Sequence, residues 1–140
     1  MAKTFDFKKV AVIVAGVPVQ GFIDGDAIVV AKNSDAWELT VGVDGESTRS
    51  RSNNESGRIT LRLQGSSLSN AYLDGLRTGD ELSGLGQVPI MIKDLFGTLL
   101  VNAAQCWCVK VPDVTLSRTP GQREWVFESG NIAMAGGGNV

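Results

Sequence analysis

No histidine occurs in this sequence, so the commonest general base and every triad or metal site built on imidazole is excluded. What remains is thin. Asp24 and Asp26 flank Gly25, and Asp80 precedes Glu81; either pair could touch a hard cation, but neither has calcium-loop spacing, and both read as turn chemistry. Cys106 and Cys108 lie two apart. On a strand they share a face, which is poor disulfide geometry, and two thiols without histidine are half a zinc site; core packing is the expected role. Gly84-Leu85-Gly86 lacks the third glycine of a dinucleotide loop, and no phosphate-binding loop is present. Asn54-Glu55-Ser56 matches a glycosylation sequon, which has no meaning without a secretory signal. These residues name no reaction, so the expectation is a protein with no catalytic residues, no metal and no cofactor.

Charge is more informative. Between Glu46 and Arg62 stand Arg49, Arg51, Arg58 and Arg62 against only Glu46 and Glu55, leaving the rest of the chain more acidic. Arginine suits planar pairing with a carboxylate on another molecule. It also suits phosphate, but no aromatics are interleaved as a nucleic-acid site would want. Glu46, Arg49, Arg51, Asn53, Asn54, Glu55 and Arg58 are therefore the candidate contacts between molecules. Most of them fall in Asp44–Gly57, a long polar stretch read as a loop without structure of its own. Loops of that length are either solvated connections or functional ones.

The elements that must position these residues are β-rich. Val10–Val14 reads as a buried strand, Gly16–Gln20 turns into a second short one, and Ala27–Ala31 is an apolar run of strand length. Trp37, Leu39, Val41 and Val43 alternate with polar residues, as do Ile59, Leu61 and Leu63; each pattern predicts a strand with one core face and one wet face. Leu68, Tyr72, Leu73 and Leu76 recur at helical spacing, with Ser67 or Ser69 as the cap and Gly79 as a stop. Val88–Lys93, Thr98–Val111 and Gln122–Ala133 complete the strands, with a turn at Asp94–Gly97. Trp37, Trp107 and Trp125 are all expected on core faces. The reading is a mainly β fold, a β-sandwich or small barrel with one flanking α-helix, in a single domain over 1–135 with a flexible tail at 136–140.

A chain that is 43% apolar and 20% charged, with a net charge of -2, is neither disordered nor a dedicated nucleic-acid binder. The run Val10–Val19 is too short for a bilayer, and Met1–Lys9 shows no leader pattern, so a cytoplasmic origin without a membrane anchor is expected.

The order of several blocks resembles the tail-tube protein family of contractile-tailed bacteriophages. They are Lys3-Thr4-Phe5-Asp6, Gly16-Val17-Pro18-Val19, Gly21-Phe22-Ile23-Asp24-Gly25 and Asn33-Ser34-Asp35-Ala36-Trp37. Val41-Gly42-Val43-Asp44-Gly45-Glu46, Asn53-Asn54-Glu55-Ser56-Gly57, Ser67-Leu68-Ser69-Asn70 and Gly121-Gln122-Arg123-Glu124-Trp125 follow. The resemblance runs nearly end to end. It implies a structural subunit that forms hexameric rings, stacked into a hollow tube inside a contractile sheath, with strands paired between subunits and loops reaching the next ring. The implied partners are further copies of itself, the tail sheath, baseplate and terminator proteins, and the tape-measure protein and phage DNA in the lumen. The implied place is the virion tail, assembled in the host cytoplasm.

On that footing the 44–57 loop is expected to be mobile in a free subunit and to order against the adjacent ring. The helix is expected to cover an open barrel end. A bore that conducts DNA should not bind phosphate, which favours Glu38, Thr40, Glu124 and Glu128 over the arginines as lumen-facing residues. The competing readings are a tube initiator or terminator, and a non-catalytic sandwich that binds sugar or peptide. The second needs an exposed aromatic platform, which three core tryptophans would not supply.

Overall fold

Residues 2–138 are described by a computed structural model of the chain. Its strands are β1 (Val10–Val14), β2 (Val17–Pro18), β3 (Ile28–Lys32), β4 (Trp37–Val41), β5 (Ser47–Arg51) and β6 (Gly57–Gln64). The helix α1 (Ser69–Ser83) separates these from β7 (Val88–Asp94), β8 (Leu100–Lys110), β9 (Gln122–Ser129) and β10 (Ala133–Ala135). An eight-stranded sheet runs β2-β1-β7-β8-β9-β6-β3, with β10 paired to β8, and β4 and β5 form a separate two-stranded ribbon. The predicted β fold with one flanking helix is what is observed.

Alternation decides which way each strand faces. Ile59, Leu61 and Leu63 of β6 are buried, and so are Trp125 and Phe127 of β9 directly beside them. Val12 and Val14 of β1, Ile90 and Ile92 of β7, and Val101, Ala103 and Cys106 of β8 point to the same interior. One sheet therefore curls around a single core, because only curling lets one apolar face bury itself. Curling does not close it. The outer sides of β2, β3 and the short β10 pair with no other strand of the described residues, so the sheet keeps open edges.

The helix covers one opening of this curl. Leu73 is fully buried, and the Tyr72 hydroxyl donates to the Val14 carbonyl at 3.0 Å. Asn70 ties helix to sheet twice: its amide donates to the Gln64 carbonyl at 2.9 Å, and its carbonyl oxygen accepts from the Trp125 indole at 3.0 Å. Ser67 accepts from the Ser69 N–H at 3.2 Å, while Leu68 occupies the cap position. The helix does not stop at Gly79. It runs on to Ser83 and ends where Gly84 takes the left-handed conformation (φ 69°) and returns its N–H to the Asp80 carbonyl. A helix stops where a residue turns left-handed, and Gly79 does not. Arg77 reinforces the extra turn, bridging Asp74 at 2.7 Å and Glu81 at 2.9 Å.

The β1–β2 turn carries local strain. Ala15 (φ 51°) and Gly16 (φ 82°) both sit left-handed, as a two-residue hairpin turn of this twist demands. Alanine is poorly suited there. Ala15→Asn should raise stability by about 0.5–1 kcal/mol, read as a higher urea midpoint at unchanged slope.

Three expectations are corrected by the fold. The 44–57 segment is not a structureless loop: it contains β5, whose backbone pairs Trp37 with Arg51, Leu39 with Arg49 and Val41 with Ser47. Pairing, not apolar content, makes this strand, which is why polarity concealed it. Trp37 is not in the core but 47% exposed, and every residue of β4 is exposed. Trp107 is half-buried on the outer sheet face opposite Glu128, because the register of β8 shifts between Ala103 and Cys106. The glycines 136–138 return along the turn before β8, with the Thr98 N–H donating to the Gly138 carbonyl at 3.2 Å. The last two positions of the expected tail, Asn139 and Val140, lie outside the described residues.

Candidate assembly surfaces

Three surfaces are left open by this fold, and each follows from how the chain is spent. The first is the β4–β5 ribbon. It continues the β3–β6 pair beyond a constriction where the Asn33 N–H donates to the Ser56 carbonyl (3.1 Å) and the Ser52 N–H to the Ala36 carbonyl (2.8 Å). Asn54 fixes the returning strand by accepting from both the N–H and the hydroxyl of Ser56. Beyond it, neither ribbon face rests on the body, and all ten of its strand residues are exposed. One face presents Trp37, Leu39 and Val41 in a row with Arg49 and Arg51. The Arg49 guanidinium lies 3.9 Å from the Trp37 ring centre, a cation–π stack, and Arg51 lies 5.8 Å away. The other face carries Glu38 and Thr40 opposite Ser50 and Thr48.

The second surface is the outer face of the sheet. Arg58 and Glu128 are register partners and ion-paired, and so are Arg62 and Glu124 at 3.2 Å. Gln64 and Gln122 continue this row, and Thr60 lies within it, covered between Val29 and Val126. Lys110 reaches Asp113 at 3.6 Å. Positive and negative charge thus cancel pairwise on one face. Surface pairs of this kind add little to stability, on the order of 1 kcal/mol or less each, but they occupy the guanidinium donors.

The third consists of the sheet edges. The Arg62 N–H donates to Ala27 and the Asn33 N–H to Ser56. That alternation turns the amides of Val29, Ala31 and Asn33 toward β6 and those of Ile28, Val30 and Lys32 outward, while the Ala27 N–H turns back to the Gly25 carbonyl at 2.8 Å.

The sequence-derived contact residues are therefore scattered. Glu46 lies at the ribbon tip, its N–H bound to Asp44. Arg49 and Arg51 line the apolar stripe. Asn53, Asn54 and Glu55 sit at the ribbon base, where the Glu55 carbonyl accepts from the Ile132 N–H at 3.1 Å. Arg58 lies on the sheet face. Glu38 and Thr40 share the ribbon and Glu124 and Glu128 the sheet, so the acidic set does not form one surface. The arginines Arg58 and Arg62 are not segregated from the carboxylates; they are bonded to them. Sequence reasoning missed Trp37, Leu39 and Val41 as surface residues. The one available signal was that the strand paired to them, Ser47–Arg51, has no apolar face to complete a core.

Burial pushes the thiols of Cys106 and Cys108 above their ordinary value, which disfavours the thiolate. Among the described residues no group of three or more His, Cys, Asp or Glu side chains could hold a metal ion, and no helix is long and apolar enough to cross a membrane.

Comparison with known proteins gives this open sheet, with its projecting ribbon and flanking helix, a context. Residues 3–137 match the family model of the bacteriophage PhiTE tail tube protein. The chain belongs to that family. It is thus a tube-related structural component of a phage tail. No curated protein sequence matches it. Solved structures do. The tube-terminating cap of the anti-feeding prophage superposes with a TM-score of 0.65 at 10% identity, over 96% of this chain and 93% of that one. The PVC extracellular contractile injection system contributes two more. A chain of its extended sheath–tube complex gives 0.59 at 12% identity, over 94% and 91%. One of its sheath/tube terminator gives 0.56 at 13%, over 96% and 99%. At such identities the likeness is one of fold. The curled sheet with its flanking helix is thus a fold that this chain shares with a chain of each of these three assemblies.

Proposed function

We propose that this tail tube protein assembles as hexameric rings stacked into a hollow tube, which conducts the phage genome inside a contractile sheath. It catalyses nothing. The observation that carries the reading is the unclosed sheet, whose edges at β3 and β2 would find partners in neighbouring subunits. Six subunits giving about four strands each, at roughly 4.8 Å per strand, make a wall about 115 Å around and about 37 Å across. Duplex DNA passes through such a bore. The sheath, the baseplate and terminator proteins at the two ends, and the tape-measure protein within are the partners this role requires. The virion tail is its place and the host cytoplasm its site of assembly.

For the lumen we favour the sheet face that carries Glu124 and Glu128. Its arginines are already bonded to carboxylates, so DNA would slide past without exchanging counterions. Replacing both glutamates (Glu124→Gln with Glu128→Gln) would release Arg58 and Arg62 in every subunit. Tubes of that variant should co-sediment with duplex DNA at 50 mM salt and release it at 200 mM, by a factor of about 10³ or more for six or more phosphate contacts. Equal DNA retention by variant and parent tubes would mean that the released arginines meet no DNA, and DNA bound along the outside of intact tubes would place this face outside the bore.

Negative-stain microscopy of the concentrated protein tests the reading itself. Long hollow tubes are the expected result. Single rings would assign the chain to a tube end, and monomers at every concentration would refute self-assembly.

A further inference from the structure

An apolar groove of about 450 Å³ opens between the N-terminal segment, the start of β3 and the strand β10, lined by Phe5, Phe7, Ile28, Val30, Val101 and Met134. It lies along an open edge of the curled sheet, for Ile28 and Val30 belong to the edge strand β3 and Met134 to β10. Phe5 at 63% and Met134 at 42% exposure leave it wet. Asp26 stands in its wall, and Asp24 is exposed two residues away.

We infer that this groove is the receptor for the β4–β5 ribbon of a second copy of the chain, with Trp37, Leu39 and Val41 seated among its apolar residues and Arg49 and Arg51 against Asp24 and Asp26. The inference rests on the tube reading and names the contact that reading leaves open. Three observations select the occupant. The stripe spans about 13 Å over alternate strand residues and is bordered by cations, where the groove is apolar and bordered by carboxylates. The ribbon's strand residues are all exposed, and apart from the arginines that stack on Trp37 the stripe has no cover from the body of its own subunit. Groove and stripe are different patches, so their union is heterologous; each copy can give its stripe to one neighbour and its groove to another, which suits a contact that closes within a ring or runs on from ring to ring. A stripe docked there also brings Trp37 into a desolvated pocket, the setting in which tryptophan contributes most to an interface.

Cysteine pairing between two separately made variants tests it. Leu39→Cys marks the stripe and Met134→Cys the groove; both positions are exposed, so folding is not at stake. After co-assembly and mild oxidation, the mixture should give a disulfide-linked dimer at least tenfold above either variant alone. Adding Trp37→Ala to the stripe variant should lower that yield about tenfold or more. Microscopy of the same sample separates the two levels of argument. Tubes without the mixed dimer overturn this groove and leave the tube intact. A double variant that forms its disulfide within one chain at high dilution shows the ribbon folding onto its own subunit, and overturns the inference as well. A mixed dimer whose yield ignores Trp37→Ala is random thiol contact, and counts against it.

Discussion

Replacing residues 37–51 by a two-residue Asn-Gly turn should yield a folded monomer that no longer polymerises. The junction permits the change, since Ala36 and Ser52 already share a hydrogen bond of 2.8 Å and a tight hairpin turn can close across them. The body should hardly notice. No residue of β4 or β5 is buried, so removing them exposes no core, and the melting temperature should stay within a few degrees. Assembly is another matter. Each subunit would lose Trp37, Leu39 and Val41 together, and a single buried tryptophan anchor is commonly worth about 2 kcal/mol or more. Because every subunit in a polymer makes the contact, the pelletable fraction should fall by about a hundredfold. Ultracentrifugation measures that fraction and thermal melting the fold. Tubes of normal yield from the shortened chain would mean that the ribbon is ornamental. A large drop in melting temperature would mean that it belongs to the core after all.

Why the sequence misplaced this ribbon is a matter of physics. The alternation Trp37-Glu38-Leu39-Thr40-Val41 is indistinguishable from Ile59-Thr60-Leu61-Arg62-Leu63. Periodicity reports that one face of a strand meets an apolar partner; it does not report whether the partner is in the same molecule. β6 meets β9 in its own chain and is buried, whereas β4 meets only β5 and is not. Ser47–Arg51 fails for the complementary reason, since a strand held solely by backbone pairing leaves no hydrophobic trace. Trp107 was lost to a register shift in β8, a single-residue irregularity that turns the following side chains over as far as a second shift past Cys108. What was legible was the interior: β6, β9 and, in α1, Tyr72, Leu73 and Leu76 sit where their spacing put them, because burial in a single core is the one condition that period alone can express; Leu68, read into the same stripe, is 90% exposed at the cap position. The ion pairs on the sheet face were beyond reach, since Arg58 and Glu128 are seventy positions apart.

The second large effect lies where that interior is joined to the helix. Trp125→Ala should cost about 4 kcal/mol, the range for emptying a large aromatic site that cannot collapse. Two terms add. The indole is 2% exposed and packed among the core residues, so its loss leaves a cavity. Its N–H is also the partner of the Asn70 side-chain carbonyl, and Asn70 is itself 8% exposed. An amide stranded there loses about 1–3 kcal/mol of its own. For a chain of this size the melting temperature should drop by roughly 15 °C, if unfolding is two-state. Trp125→Phe divides the terms, keeping most of the volume and discarding the hydrogen bond. Asn70→Leu in that background removes the stranded carbonyl but also gives up the amide's bond to Gln64. The double variant should therefore recover part of the loss, with a coupling energy of about 1 kcal/mol between the two sites. Additive losses from the two single changes would show that Asn70 and Trp125 act independently, and that α1 is held to the sheet by Leu73 and Tyr72 without them. Coupling would place the joint between helix and sheet in one buried hydrogen bond. In the assembly proposed above, where neighbours would engage its edges and its ribbon, a subunit has reason to fix α1 that way.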